Sequence, residues 1–252
     1  MFRIARVHSI TLALVLAVLF AVSASAASNS VTVPGVADVW LAGQPNGASL
    51  SGGDVLPDTA PANSPVLASA GLALTAGSYL TVSASGTTNY NGCTGTSPDG
   101  GGCGGAFTTG PADSVSAYDG PPNALIGVFL DASTPSGTAP SALDFSTLAA
   151  QGQATISPQL RQVFFIGDGL TGTGSGTAQH FVIPSGATRL YLGSADSWGR
   201  NANNTGSFTV VVSDATASPN PIPLPGTALL AITALLAMAA AYFVHRRFHR
   251  PA

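Results

Sequence analysis

An all-β sandwich or jelly roll, set between two apolar chain ends, is the fold class this sequence predicts. Three observations carry it. Short strand-like runs recur through the interior, nearly all bounded by Gly, Pro, Asn or Asp. Their apolar residues alternate, or run continuously over strand length. Within the interior only one stretch, "SALDFSTLAA", has a helical pattern, with Ser141 placed to cap a short turn. Many short strands with almost no helix are the pattern of a sandwich.

The elements follow in order. Arg3 and Arg6 precede an apolar run from Ile10 to Val22, and Ala24-Ser25-Ala26 is a small-x-small cleavage site. That layout predicts a secretory signal peptide over residues 1–26, removed on export; the run is short for a membrane anchor. Residues 27–214 then form one domain by length, large enough to bury a core. "SYLTVSASG" alternates through Leu80, Val82 and Ala84. "ALIGVFL" (124–130) and "QVFFIG" (162–167) are continuous apolar runs, as suits strands covered on both faces. "TRLYLGSAD" alternates through Leu190 and Leu192, and "GSFTVVVSD" through Phe208, Val210 and Val212. Residues 131–160 and 170–178 read as long loops. The glycines of "GDGLTGTGSG" lack the Gly-Lys-Ser/Thr ending and following helix of a phosphate loop.

Between Ala27 and Ser218 the chain has no lysine and no glutamate. Its cations there are Arg161, Arg189 and Arg200, against eleven aspartates. So acidic a segment excludes a nucleic-acid surface, which needs a basic footprint. It suits a divalent cation or a neutral ligand. Cys93 and Cys103, the only cysteines, share a glycine-rich loop. In an oxidising compartment a disulfide between them is the simplest reading, and no histidine lies near in sequence to complete a metal site.

Residues 215–226 are a proline-rich linker, with Pro219, Pro221, Pro223 and Pro225. Residues 227–244 are apolar enough to cross a bilayer as a helix. The basic tail 245–252, with Arg246, Arg247 and Arg250, predicts a cytoplasmic end, with the bulk of the chain across the inner membrane. An ordinary stop-transfer anchor has the same parts. Roughly the last 32 residues resemble the PEP-CTERM sorting signals. The motif reads Pro223-Leu224-Pro225-Gly226, like the variant in which leucine replaces the glutamate. The resemblance implies recognition by an exosortase, removal of the tail, and delivery to the surface or matrix of a Gram-negative bacterium.

"DSWGRNANNTGSFTVVV" (196–212) places an oxygen-rich loop directly before a strand. Calcium takes six to eight oxygens from carboxylates, amides and backbone carbonyls, and Asp196, Asn203 and Asn204 can supply them. The asparagines also suit a plain hairpin turn. Asp196, Asn203, Asn204, Gly206, Ser207 and Phe208 resemble the calcium loop of the small galactophilic bacterial lectins of the PA-I type. "LTAGSYLTVSASGTTNYNG" resembles that family's strand ending in a calcium-binding tyrosine, and "NALIGVFL" its central strand. The likeness covers two blocks, 75–130 and 180–213.

That resemblance implies a galactose-binding-domain-like sandwich and one calcium ion. Its ligands would be the carbonyls of Tyr90 and Arg200 with the side chains of Asp196, Asn203 and Asn204. Two vicinal sugar hydroxyls would fill its open positions, with Asp196 and Asn203 also bonding them. Trp198 would either stack on a sugar face or pack as a wedge on a neighbouring loop. The family's hexose-gripping histidine and glutamine are missing from "GCTGTSPDGGGCGGAFTTGPADSVSAYDGPPN".

The function expected is a calcium-dependent carbohydrate- or exopolysaccharide-binding module on an exported surface or matrix protein. The alternative is a structural matrix protein in which calcium only stiffens the fold. No enzyme is expected. Asp144, Asp168 and His180 form no recognisable catalytic motif, and no Gly-x-Ser-x-Gly elbow is present.

Overall fold

In a computed structural model the described residues are 26–51, 56–90, 95–102 and 105–215. The chain divides after Thr216 into two compact units. The second unit, 217–252, lies outside the described residues, and so do the segment 1–25, Cys93 and Cys103. The expected signal peptide, disulfide, sorting motif, membrane span and basic tail therefore fall there wholly or in large part. Among the described residues no helix is long and apolar enough to cross a membrane.

What is described is all-β. A five-stranded sheet runs in the order Ser28–Pro34, Thr205–Ala215, Tyr79–Asn89, His180–Val182, Thr155–Ile156. A four-stranded sheet runs Val163–Phe165, Leu125–Leu130, Arg189–Ser194, Val66–Leu67. Neighbours are antiparallel except His180–Val182 with Thr155–Ile156. Residues of both sheets join one buried core, which gives the unit its sandwich-like character.

The side-chain period explains which residues enter that core. Leu80 and Val82, and across the pair Phe208, Val210 and Val212, point inward from two eleven-residue strands. Leu125–Leu130 is buried at every position, so its continuous apolar run reflects cover on both faces. On one side lies the 3-10 turn Val39–Leu41, all of it buried. Trp40 there donates its indole N–H to the Ser116 carbonyl at 2.9 Å, so a large apolar body enters the core without an unpaired donor.

Three elements depart from what the hydrophobic pattern shows. Ser28–Pro34 is a strand that the hydrophobic pattern hides, because only Val31 and Val33 stand among Ser, Asn and Thr. The short helix is Leu148–Gln151, and its cap is Thr147, whose hydroxyl accepts from the Ala150 N–H. Ser141 is exposed and lies six residues before Thr147, too early to serve it. Finally, residues 170–178 are a hairpin, Leu170–Gly172 with Ser175–Ala178. Asp168 closes it: one carboxylate oxygen accepts from Leu170 N at 2.8 Å and the other from Gly174 N at 2.7 Å.

Candidate functional site

The two long strands deliver the site. Asn89 pairs with Thr205, so the next residues outward are Tyr90 on one side and Asn204 on the other. Gly206, the second residue of that strand, holds φ +79°, and a Cβ there would run into the Thr87 carbonyl. Glycine is required by both conformation and space. The loop 196–204 then spans from the end of the Arg189–Ser194 strand to this point.

That loop is moored from beneath by two aspartates that the sequence reading did not single out. Asp38 is fully buried and accepts from Trp40 N at 2.8 Å and Gly199 N at 3.0 Å. Asp58, also fully buried, accepts from Asn201 N at 2.8 Å. The two carboxyl groups bond each other, and burial holds both above the usual carboxylate range, Asp38 further. A proton shared by the pair accounts for this, since two adjacent buried anions would repel. Asn201 completes the mooring. Its amide nitrogen donates to the carbonyls of Ala37 and Ser194, at 3.2 and 2.9 Å.

Asp196 sits above this platform and is only 5% exposed. Burial raises its pKa to about 6; the Ser197 N–H and the Asn204 side chain bond it and pull the other way. Asp58 repels the charge and Arg200 attracts it. Asn204 is 4% exposed. Its amide nitrogen donates to the Gly35 carbonyl at 3.2 Å, but its Oδ1 is buried with no hydrogen-bond partner. A buried acceptor left unpaired costs about 1–3 kcal/mol, which a positive group beside it would recover.

Tyr90, Asp196 and Arg200 line one cleft of about 360 Å³, together with Phe107, Pro122 and Ser197. Asn204 reaches this group through its bond to Asp196. Asn203 does not line the cleft; it is the exposed last residue of the 3-10 turn Asn201–Asn203. Trp198 does not line it either. It lies half-buried against the core, on the far side of Ser197 and Arg200. Among the described residues no three His, Cys, Asp or Glu side chains gather to hold a metal. The oxygens available here are instead one carboxylate, side-chain amides and backbone carbonyls, a set that suits calcium and not a softer ion.

Phe107 and Pro122, the apolar walls of the cleft, carried no sequence signal of their own. Asn123 supports Pro122: it holds φ +61°, its N–H donates to the Ala195 carbonyl at 2.7 Å, and its carbonyl accepts from the Thr88 hydroxyl. Asp144 is occupied by the Ser146 N–H and hydroxyl, and His180 stacks on Tyr79 with ring centroids 3.8 Å apart. Scanned against models of known protein families and against curated proteins, the chain matches none.

Proposed function

We propose that residues 27–214 are a calcium-dependent carbohydrate-binding module of the PA-I lectin type. On this reading the fold is a galactose-binding-domain-like jelly roll, and the module belongs to an exported surface or matrix protein. Its tail would hold it in the inner membrane until an exosortase processes it. The observation that carries the calcium reading is the orphaned Oδ1 of Asn204 beside the desolvated carboxylate of Asp196. Both would gain from a cation that the cleft between Tyr90, Asp196 and Arg200 is able to admit.

Calcium, when bound, supplies a hard cation with open coordination positions for two vicinal sugar hydroxyls. The chain's own part is to fix the donors. The paired carboxyls of Asp38 and Asp58 hold the loop backbone in register, and Gly206 turns Asn204 inward. Asp196 carries the negative charge. Phe107 gives the sugar ring an apolar wall.

A second reading is that calcium only stiffens a structural matrix domain. The near-complete burial of Asp196 favours it, because little of that carboxylate faces a ligand. Titration of the full-length chain, in a detergent without a sugar headgroup, against a glycan array separates the two. Sugar binding lost on chelation supports the lectin. Calcium binding with no sugar retained on the array supports the structural role. No calcium response removes both.

A further inference from the structure

The calcium cleft has a neighbour. A second cleft of about 370 Å³ is lined by Thr108, Gly110 and Trp198, and shares Ser197 and Arg200 with the first. The dividing wall is narrow. Phe107 faces the first cleft and the next residue, Thr108, the second. The short strand Phe107–Thr108 is held by its pairing with Asp119–Gly120, and Thr109 is fixed by accepting from the Tyr118 N–H at 3.1 Å. The two hollows thus adjoin through Ser197 and Arg200.

Their chemistry is matched in kind. Each has an aromatic wall, Phe107 with Tyr90 in the first and Trp198 in the second, beside hydroxyl-bearing residues: Ser197 in both, with Ser51, Thr108 and Thr109 in the second. The indole N–H of Trp198 has no hydrogen-bond partner among the described residues. It faces Gly110, where an added Cβ would stand 3.7 Å from it. A side chain there would cover the indole edge; glycine leaves it open. An indole that packs one part on the core and presents its N–H to an open, hydroxyl-lined hollow suits a sugar ring, which has an apolar face and a polar rim. The only cation at the junction, Arg200, already feels the charge of Asp196. The surrounding segment carries eleven aspartates. A neutral sugar fits this field and a polyanion does not.

We infer that the second cleft is a subsite for the next residue of a neutral oligosaccharide, so that the module grips an internal or terminal stretch of chain instead of one sugar. This rests on the carbohydrate reading of the calcium cleft. It assigns Trp198 to the second sugar and not to the one on calcium.

The test uses full-length chain saturated with calcium, in a detergent without a sugar headgroup, and calorimetric titration. The probes are methyl glycosides of galactose, mannose, fucose and N-acetylglucosamine, and di- and tetrasaccharides ending in each. The oligosaccharide should bind about tenfold more tightly than its monosaccharide. Gly110→Val should erase that advantage while leaving monosaccharide and calcium binding unchanged. Position 110 is exposed and meets only ordinary contacts, so the fold tolerates the plug. Trp198→Phe, which keeps the packing and removes the N–H, should lose part of the gain. Equal affinity for mono- and oligosaccharide in the unaltered chain overturns the subsite alone. So does a Gly110→Val variant that keeps the advantage, or that weakens both probes equally. Calcium binding with no sugar binding at all overturns the subsite together with the lectin reading.

Discussion

Two loops of this domain open on an aspartate, yet they do opposite things with it. In the 168–178 loop, Asp168 is half-buried and both its oxygens accept backbone N–H groups, from Leu170 and Gly174. Nothing is left over, and the result is a closed hairpin. In the 196–204 loop, Asp196 is buried, its pKa is pushed up to about 6, and the amide oxygen of Asn204 beside it has no partner. A loop built only to turn the chain satisfies its own polar groups. The 196–204 loop leaves an acceptor and a desolvated carboxylate together, and on that pairing the calcium proposal rests.

The mooring beneath the second loop offers the harshest way to break this contrast. Asp38→Ala removes the acceptor for Trp40 N and Gly199 N and leaves Asp58 buried without its partner. We expect a loss of about 3–4 kcal/mol in urea unfolding, together with weakened calcium binding. A loss below about 1 kcal/mol would mean the pair is not what holds the loop.

Acidity probes the same contrast without mutation. Asp196 binds its proton more tightly in the folded chain, at about 6, than at its ordinary value of 3.8. Between those values unfolding releases a proton, so stability falls as pH rises. The calcium-free chain should therefore lose on the order of 3 kcal/mol from pH 4 to pH 7, and the raised Asp38 and Asp58 act in the same direction. Calcium should reverse the trend at neutral pH, and below about 6 its affinity should decline as a proton competes for Asp196. Urea unfolding in chelator that shows a flat or rising stability over this range would contradict the burial of Asp196.

Chelation comes next in size. At a hundredfold excess over its dissociation constant, calcium should stabilise the domain by about 2.7 kcal/mol. Scanning calorimetry should show wild type melting lower in chelator, and Asp196→Ala melting the same with or without calcium. Asp168→Ala should cost about 1–2 kcal/mol by freeing two N–H groups, yet keep the full calcium response. If the two alanine variants behave alike, the loops do not differ in kind.

Much of this was legible beforehand, and the gaps have physical causes. The strands that fill the core announce themselves because burial of one face imposes period two, as in Phe208, Val210 and Val212. Leu125–Leu130 is legible for a different reason, cover on both faces. Ser28–Pro34 carries little hydrophobic pattern because it is an edge strand, with only Val31 and Val33 among polar residues. The loop 170–178 looked structureless because its order comes from Asp168, not from hydrophobic pattern. At the site, the oxygen-rich composition of 196–204 marked the loop. Composition cannot reveal Asp38 and Asp58, which are 20 residues apart and reach the loop only through the fold. Nor does it distinguish Asn203, exposed, from Asn204, buried; the turn Asn201–Asn203 decides that.

That last difference supports the finest test. Asn203 and Asn204 are neighbours of one chemistry in two environments. In calcium-free protein, Asn204→Ala loses the bonds to the Gly35 carbonyl and to Asp196 but also removes an acceptor that had no donor and a group that favours the charged form of a buried carboxylate. The two effects oppose, so the stability change in chelator should be small, within about 1 kcal/mol. With calcium present the same variant lacks a ligand oxygen, and its affinity for the ion should fall about tenfold. Asn203→Ala, at an exposed position, should leave stability unchanged in chelator and weaken calcium less. Titration calorimetry of both variants with calcium reads the difference. Asn204 failing only in chelator would make it a structural amide. Asn204 failing only toward calcium would make its unpaired oxygen a ligand that the fold holds ready.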